Sequence, residues 1–517
     1  MSLKYGQLCS LLIQEHFGPI AEKIHQQLQW GPKTFKLLAS SIDLPPPLLR
    51  RVLCILIQYG FVVFESRLKP QVAEYRLLPD KILLLLRYPR YLSLINDKYG
   101  EISRLIIDEV LQCGCISAPK LILNVWTKIQ DGALAVLPKS MTSLSDALHR
   151  LIQNQYLMRC PSPSEDGNDR VPKLVVNESE LYKMPEIDVP MLLKLWKGET
   201  SLHSIKDHDI LWRCNFDRFH QDMRDEIMVE GIRRRFDSYS ATFMEVALNQ
   251  MYLRTEPWAT QSNPVPLNEI REEVDKKSSH LAQFLDQYIK VIDEDSCSFI
   301  KKIGEGSTAS VYVNLVAAFS NLTAATIESV VEHRFGCKAA RIFRLVRSKK
   351  FIDQEQLQKI AMIPDKEAKQ LTYRLLQESF LHMQELKKSA TAGLNKNFYL
   401  FHVDFNQVVH VVLEMCYKAI YNTLKRANHE KNENLRMIDK FEKLNSVAQT
   451  MKQQGEDEQY IKQLLDEWMT PPEKSLMESV EATIKKLRLA ELYLDETIFL
   501  LQLYIYYDAT SSKEIKL

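Results

Sequence analysis

Residues 300–314, IKKIGEGSTASVYVN, come nearest to a catalytic motif in this sequence. Gly304 and Gly306 are separated by one residue, Ala309 stands where a third glycine would complete a GxGxxG pattern, and Val311 follows. Loops of this kind cover nucleotide phosphates, so the stretch raises the question of ATP binding and phosphoryl transfer. Two glycines so spaced are a weak signal, because hairpin turns also need glycine for its positive φ angles.

The partners that phosphoryl transfer requires do not follow this loop. After Val311 the sequence runs YVNLVAAFSNLTAATIESVVEHRFG, which has helical periodicity, and the first lysine is Lys338. A kinase needs a lysine on a nearby strand, an HRD motif with a downstream Asn, and a DFG motif, and the sequence has none of these. We predict that FIKKI and SVYVNL are the strands of a β-hairpin and that GEGST is its turn. An enzyme using the Gly304 loop is the alternative.

Other catalytic or metal chemistry has little support. The nine cysteines include no CxxC pair, and the close pair Cys113 and Cys115 has no second pair or histidine at zinc spacing. A scattered, odd set of cysteines favours free thiols in a reducing compartment. Neither HExxH nor GxSxG occurs. The sequence therefore predicts no catalytic residues, no metal and no cofactor.

Basic residues are the remaining candidates for function. Sixty-seven Lys and Arg against 66 Asp and Glu leave a net charge of +1, so contact with nucleic acid has to come from local patches. The strongest patch is ARIFRLVRSKK, where arginines three residues apart share one helix face and two lysines extend it. Its members are Arg341, Arg344, Arg347, Lys349 and Lys350. The alternative is a solvated helix face with local ion pairs.

Two weaker basic clusters lie elsewhere. Arg50 and Arg51 fall on a predicted recognition helix, with Arg67 and Lys69 in the wing that follows. Such residues could contact phosphates, although winged helices use the same surface for protein contacts. A third cluster, at residues 233–235, spreads around its helix and is less focused.

One sequence pattern recurs along the chain. Two apolar residues, a Gln, two spacers, an aromatic and an apolar residue occur at 56–62 (LIQYGFV), 151–157 (LIQNQYL) and 375–381 (LLQESFL). Each copy ends an amphipathic helix and opens a short alternating strand. The predicted buried helix faces are Leu49, Val52, Leu53, Leu56; Leu144, Leu148, Leu151, Ile152; and Leu371, Leu375, Leu376. A fainter copy has a face of Leu281, Phe284, Leu285 and Ile289.

The elements around each copy have a common order. A longer helix comes first, a short helix follows, and the repeat helix begins beside a breaker such as Pro45-Pro46-Pro47. Two strands joined by a polar loop come last; in the first copy these are FVVFES and VAEYRLL. Three helices and a β-hairpin form a winged-helix unit.

The C-terminal part has a different pattern. Apolar residues recur at gaps of four and three from Val408 to Ala419, and again from Val480 to Leu501. Thr470-Pro471-Pro472 separates the two segments. This pattern predicts a helical hairpin or coiled coil. We favour a protruding stalk; the alternative is a helical bundle packed on the last wing.

The predicted fold class is mainly α with small β-wings: four tandem winged-helix domains followed by a C-terminal coiled coil or helical hairpin. The predicted boundaries are 1–80, 81–190, 211–315 and 316–405 for the winged helices, 191–210 for a linker and 406–517 for the stalk.

Several stretches resemble one family over nearly the full length. The chain is similar to the winged-helix, third-largest subunit of eukaryotic RNA polymerase III, which scaffolds a detachable, initiation-specific heterotrimer. The matching stretches, in the family's order, are 8–18 (LCSLLIQEHFG), 86–92 (LRYPRYL), 215–221 (NFDRFHQ), 326–336 (TIESVVEHRFG), 340–346 (ARIFRLV), 361–369 (AMIPDKEAK) and 494–501 (LDETIFLL).

The resemblance implies a non-catalytic role. A subunit of this family sits beside the polymerase clamp, holds the two smaller heterotrimer subunits, and helps to engage the initiation factor and open promoter DNA for small-RNA genes such as tRNA and 5S rRNA. It implies a nuclear protein with a cytosolic pool, and DNA contact without reading of sequence.

One departure from the family and one alternative function remain. Many members carry a long basic insert between the second and third winged helices, whereas residues 194–209 here are short and mixed in charge. The alternative function is a free-standing tandem winged-helix regulator that binds DNA, which usually has a strong basic face.

Overall fold

The computed structural model describes residues 2–66, 72–130, 140–163, 171–172, 174–199, 205–304, 309–387, 397–453, 468 and 470–514. Contacts divide the chain into two compact units. The first is Met1–His220 with Ile420–Leu492, and the second is Gln221–Ala419 with Tyr493–Leu517. None of the helices in these described ranges is both long and apolar enough to cross a membrane.

The first winged helix has the predicted order of elements. They are α1 (Leu3–Leu28), β1 (Lys33–Thr34), α2 (Phe35–Ser41), α3 (Pro46–Gln58), β2 (Val62–Glu65) and β3 (Glu74–Leu77). Strand β3 lies between β1 and β2 and is antiparallel to both. Helix α3 begins with proline at its first position, where a missing N–H costs nothing, and buries Leu49, Leu53 and Leu56.

The second winged helix contains a long insertion. Its helices are α4 (Pro79–Leu83), a 3₁₀ turn (Leu84–Arg87), α5 (Tyr88–Tyr99), α6 (Glu101–Cys113), α7 (Ala118–Gln130) and α8 (Met141–Gln153). Its sheet joins β4 (Ile116–Ser117), β5 (Leu157–Arg159) and β8 (Leu211–Cys214), with β8 in the centre. Between β5 and β8 lie the pair β6 (Ser162–Pro163) and β7 (Leu174–Val175), a 3₁₀ turn (Glu178–Glu180) and α9 (Val189–Trp196).

This insertion corrects two predicted boundaries. The sequence predicts a linker at residues 191–210 and a third winged helix that begins at 211, but Leu211–Cys214 is the central strand of the second sheet. Its Trp212 is fully buried and pairs with Ile116 on one side and Arg159 on the other. The second winged helix therefore continues to Cys214, and the expected linker contains part of α9.

The fourth winged helix and the third from Gln221 onward lie in the second unit. The third has α10 (Phe216–Arg235), α11 (Ser238–Arg254), β9 (Val265–Pro266), α12 (Leu267–Lys277), α13 (Ser279–Asp293), β10 (Ile300–Ile303) and β11 (Ser310–Val313). The fourth has α14 (Leu315–Phe335), α15 (Cys337–Lys349), β12 (Ile352–Asp353), α16 (Gln354–Ala361), α17 (Asp365–Gln377), β13 (His382–Lys387) and β14 (Asn397–His402). The sheet orders are β10-β11-β9 and β12-β14-β13.

The glycine-rich stretch is flanked by wing strands, as the sequence predicted. Strands β10 and β11 pair antiparallel from Ile300↔Val313 to Ile303↔Ser310, and β11 also pairs with β9. Gly304 has a φ of 80°, which a residue with a side chain rarely adopts. Gly306 and the rest of the turn lie outside the described residues. The next element is helix α14, where a kinase would need strands.

The predicted helix faces are largely buried. In α8 the four predicted residues Leu144, Leu148, Leu151 and Ile152 are all in the core. In α13, Leu281, Leu285 and Ile289 are buried, but Phe284 is 40% exposed, so its assignment to the buried face was wrong. Phe284 lies three residues after Leu281, on the edge of the apolar stripe that faces away from the core.

The C-terminal helices are α18 (Phe405–Glu433), α19 (Leu435–Gln453) and α20 (Pro471–Glu514), with α20 starting at the predicted Pro break. In the first unit, Arg488 of α20 pairs with Glu15 of α1. In the second unit, the Tyr507 ring of α20 stacks on the Phe319 ring of α14, with 5.4 Å between the ring centroids. At these places the tail packs on helices of the first and fourth winged helices. Around Leu444 and Met477 its described apolar contacts are between tail helices.

Candidate nucleic-acid or partner interface

Helix α15 collects the strongest basic cluster on one side, as the spacing predicted. Arg341 and Arg344 are exposed and Arg347 is half-buried, while Ile342, Phe343 and Val346 between them are in the core. This division follows from the helical period: the apolar residues anchor α15 to the fourth winged helix and turn the arginines outward.

Part of the positive charge of this cluster is neutralised by contacts within the fold. Arg344 Nε lies 2.9 Å from Glu328 Oε2, and Arg347 Nη1 lies 3.8 Å from Glu328 Oε1. Arg341 Nη1 donates to the carbonyl oxygen of Ala361 at 3.2 Å, which braces α15 against the end of α16. Exposed pairs of this kind contribute about 0–1 kcal/mol and weaken as salt rises. The local ion pairs of the alternative interpretation therefore exist, and they neutralise only part of the cluster.

The end of α15 carries the least neutralised charge. Lys349 and Lys350 are both exposed, and neither forms an ion pair with any acidic residue in the described ranges. Lys350 has a φ of 64°, so the chain turns sharply there and the two ammonium groups leave the helix at its carboxyl end. Arg347 also lies over the Phe405 ring, 5.0 Å from its centroid, which fixes its guanidinium.

The first winged helix gives a smaller basic site. Arg50 and Arg51 are exposed neighbours on α3, and the Arg50 guanidinium lies 5.5 Å from the centroid of the Phe35 ring. The two predicted wing residues, Arg67 and Lys69, lie outside the described residues. The structure therefore places only the helix half of this predicted cluster.

The cluster at 233–235 is engaged in ion pairs. Arg233 and Arg234 both pair with Glu230, and Arg235 Nε donates to Asp295 Oδ2 at 2.7 Å. Arg235 thus ties α10 to the end of α13. This arrangement favours a structural role for the cluster.

Sequence reasoning missed a further surface on α17, the recognition helix of the fourth winged helix. Its exposed face carries Lys366, Lys369, Gln370, Tyr373 and Arg374, and Tyr373 is 71% exposed. Lys369 pairs with Asp365 within the helix at 2.9 Å. The signal was available: the polar positions between the apolar residues of DKEAKQLTYRLLQ alternate cations with an aromatic and an amide, a pattern suited to phosphate and base contacts.

Four family models match successive parts of the chain. They are the RNA polymerase III subunit RPC82 helix-turn-helix domain at 7–66, RNA polymerase III subunit RPC82 at 129–322, the POLR3C C-terminal winged-helix domain at 327–403, and the helical hairpin domain of DNA-directed RNA polymerase III subunit RPC3 at 436–500.

Curated relatives match over almost the same length. The human DNA-directed RNA polymerase III subunit RPC3 is 32% identical over 523 residues, which cover 96% of this chain and 98% of the relative. The RPC3 subunit of Danio rerio is 31% identical over 533 residues, covering 98% of this chain and 99% of the relative. The rpc3 subunit of Dictyostelium discoideum is 23% identical over 252 residues, covering 46% of this chain and 38% of the relative.

Proposed function

Because this chain belongs to the RPC3 family of DNA-directed RNA polymerase III subunits, we propose that it is the scaffold of the initiation-specific heterotrimer of that polymerase. The observation that carries the proposal is the match at 32% identity over 96% of the chain. Four three-stranded wing sheets and a helical tail support it, because three of the matching models are described as a helix-turn-helix, a winged-helix and a helical hairpin domain.

We infer that the chain contributes no catalytic residues to RNA synthesis. The support is that its nearest approach to a nucleotide-binding motif is flanked by strands of a wing sheet and followed by helix α14. As a subunit of a nuclear polymerase the protein acts in the nucleus, and a cytosolic pool before assembly is part of the proposal.

The proposed partners are other subunits of the polymerase. These subunits are the largest one, through its clamp, and the two smaller subunits of the heterotrimer. The initiation factor is a further proposed partner, and so is promoter DNA, bound without recognition of its base sequence. Separate winged-helix units offer several binding surfaces of different chemistry, from the cationic end of α15 to the mixed face of α17. This variety suits a scaffold better than a regulator with one basic face.

A tagged pull-down from nuclear extract, analysed by mass spectrometry, tests the assignment. We expect the large catalytic subunits of RNA polymerase III and two small partners in near-equal amounts with the tagged chain, and none of them from untagged cells. Recovery of the chain alone, or with DNA only, would contradict the proposal and favour the free-standing regulator.

The basic end of α15 is proposed to contact DNA phosphates. We expect the combined Arg344→Gln and Lys349→Gln variant to bind a labelled duplex of mixed sequence several-fold more weakly at low salt. The slope of log affinity against log salt should fall by about two, because about one counterion is released for each phosphate contact. Fluorescence anisotropy of the full-length chain across a salt series measures both quantities.

Lys276→Gln is the matched control for this variant. Lys276 is exposed and pairs with Glu273, three residues away on α12, so its loss removes one positive charge elsewhere on the second unit. The control should leave the slope nearly unchanged. An unchanged slope in the α15 variant as well would show that the cluster is a solvated face.

A further inference from the structure

The third winged helix carries an open groove of about 390 Å³ beside its recognition helix, α13. One wall is the junction of α10 and α11, with Phe236 and Asp237, and the other is the outward face of α13. The residues that α13 contributes are Phe284, Gln287, Tyr288 and Val291. The spacing of three and four residues places them on one helix face, which flanks the buried face of Leu281, Leu285 and Ile289.

This face carries two large apolar side chains although it points away from the core. Phe284 is 40% exposed and Val291 is 54% exposed, and both border the same groove. Single exposed apolar residues are ordinary, but several that line one concavity mark a binding surface. Phe284 and Val291 therefore form a second apolar strip on α13, beside the buried one.

Side-chain contacts hold the groove open. Tyr239 packs against His280 at 5.1 Å between ring centroids, and His280 packs against Phe284 at 5.3 Å. The Tyr288 hydroxyl donates to Asp237 Oδ2 at 3.0 Å, which connects the two walls. A site whose side chains are already held in place loses little freedom when a ligand binds.

The charges at the groove argue against nucleic acid. Helix α13 contains one lysine and no arginine, and Lys290 lies 3.9 Å from the carboxylate of Glu294. Among the described residues that line the groove, the charged one is Asp237. Burial opposes ionisation of Asp237, but hydrogen bonds from Ser240 and Tyr288 hold the pKa of the carboxyl below its usual range. A carboxylate in this position repels phosphate and attracts an ammonium or guanidinium group.

We propose that this groove binds an amphipathic helix of another polymerase subunit, with a large apolar side chain between Phe284 and Val291 and a Lys or Arg facing Asp237. A helix laid in a groove presents apolar anchors at the same spacing of three and four residues that α13 shows. The inference rests on the proposed function, because the partner is taken from the polymerase assembly.

Site-specific crosslinking tests the proposal. Phe284 is replaced by p-benzoylphenylalanine in the tagged full-length chain, the assembled polymerase is purified and irradiated, and adducts are mapped by mass spectrometry. We expect an adduct on another subunit, in a segment with a large apolar residue and a Lys or Arg within about two helical turns. The same probe at Tyr373, an exposed aromatic of α17, should not label that segment.

Other adducts would overturn the proposal. Adducts confined to DNA, to the chain itself or to a second copy would each do so, and so would no adduct at all. If the chain copurifies with the polymerase but no such adduct forms, the groove proposal fails alone. If no polymerase subunits copurify, the proposed function fails as well, so the two failures are distinguishable.

The charge of Asp237 is tested separately. Asp237 caps α11 by accepting from the Ser240 N–H at 2.8 Å, and asparagine caps helices equally well. We expect Asp237→Asn to lower the crosslinking yield from Phe284 by about three- to tenfold at limiting polymerase concentration. The matched control is Asp286→Asn, which removes an exposed carboxylate of α13 that pairs with Arg271. Equal yields from wild type and both variants would overturn the assignment of a basic ligand residue.

Discussion

An Arg224→Ala variant should lower the free energy of unfolding of the second unit by about 3–5 kcal/mol, because it removes a buried guanidinium that bonds to several groups of that unit. Arg224 is 2% exposed. Its Nη1 donates to the carbonyl oxygen of Pro257 at 2.6 Å and to the Tyr507 hydroxyl at 3.2 Å, and its Nη2 lies 2.8 Å from Asp225. The guanidinium also lies 5.6 Å from the Trp258 ring centroid.

The Arg224→Ala variant should also weaken the packing of the C-terminal helix, α20. Tyr507 belongs to α20 and is 1% exposed, so removing the guanidinium leaves its hydroxyl buried without that donor. We expect the end of α20 to detach more readily from α10 and to become more sensitive to limited proteolysis. Urea unfolding followed by tryptophan fluorescence measures the stability change, since Trp258 reports directly on the site.

Two variants control this result. Arg224→Lys restores the charge without the planar fork, so its loss of stability should be intermediate. Arg271→Ala removes an exposed arginine that pairs with Asp286 at 3.0 Å, and its effect should stay within about 1 kcal/mol. A loss below about 1 kcal/mol in Arg224→Ala would mean that the buried contacts are replaced by water.

Acid should destabilise the first unit through His25. This side chain is fully buried in α1, and neither ring nitrogen has a hydrogen-bond partner among the described residues. Burial lowers the pKa of His25 from 6.5 to about 4, so the folded state favours the neutral ring. The free energy of unfolding has its full value above pH 6.5, the pKa of this histidine in the unfolded chain. It decreases as pH falls from 6.5 through about 4, because the unfolded chain then binds a proton that the folded chain does not. The free energy lost is about 3 kcal/mol, at about 1.4 kcal/mol per pH unit.

Removing the titrating group should remove this dependence. We expect His25→Leu to flatten the curve of unfolding free energy against pH between 6.5 and 4 by about one proton, measured by urea unfolding at each pH. A residual slope should remain, because burial also lowers the pKa of His220 to about 3. A slope in His25→Leu equal to that of wild type would contradict the assignment.

Three of the four wing hairpins were recognisable in the sequence because their strands are close together along the chain. In the first, third and fourth winged helices, a short polar segment separates two alternating runs, and β2–β3, β10–β11 and β13–β14 pair where the runs predicted. In the second, about fifty residues intervene between β5 and β8, with their own strands and helix. Local pattern cannot predict which distant run completes such a sheet, so β8 was assigned to the wrong domain.

The basic cluster of α15 was also predictable only in part. Helical spacing placed Arg341, Arg344 and Arg347 on one side of α15, and the structure agrees. It could not show that Glu328 of the preceding helix reaches back to two of these arginines, because that contact depends on how α14 packs on α15. The Lys and Tyr face of α17 was not predicted, because the leucine positions of this helix indicate only its buried side.

The amino-acid sequence alone indicated the family, through seven stretches that resemble its members. It also indicated the repeated winged-helix units, the helical tail and the weakness of the Gly304 loop as a catalytic motif. These follow from short-range order: the period of apolar residues, the positions of proline and glycine, and the residues that flank a motif. Four other features are visible only in the folded chain: Leu211–Cys214 belongs to the second sheet, part of the α15 charge is neutralised, Arg224 connects α10 to α20, and Phe284 lines a groove. Each of these depends on contacts between residues far apart in the chain, whose distances are set by packing rather than by local periodicity.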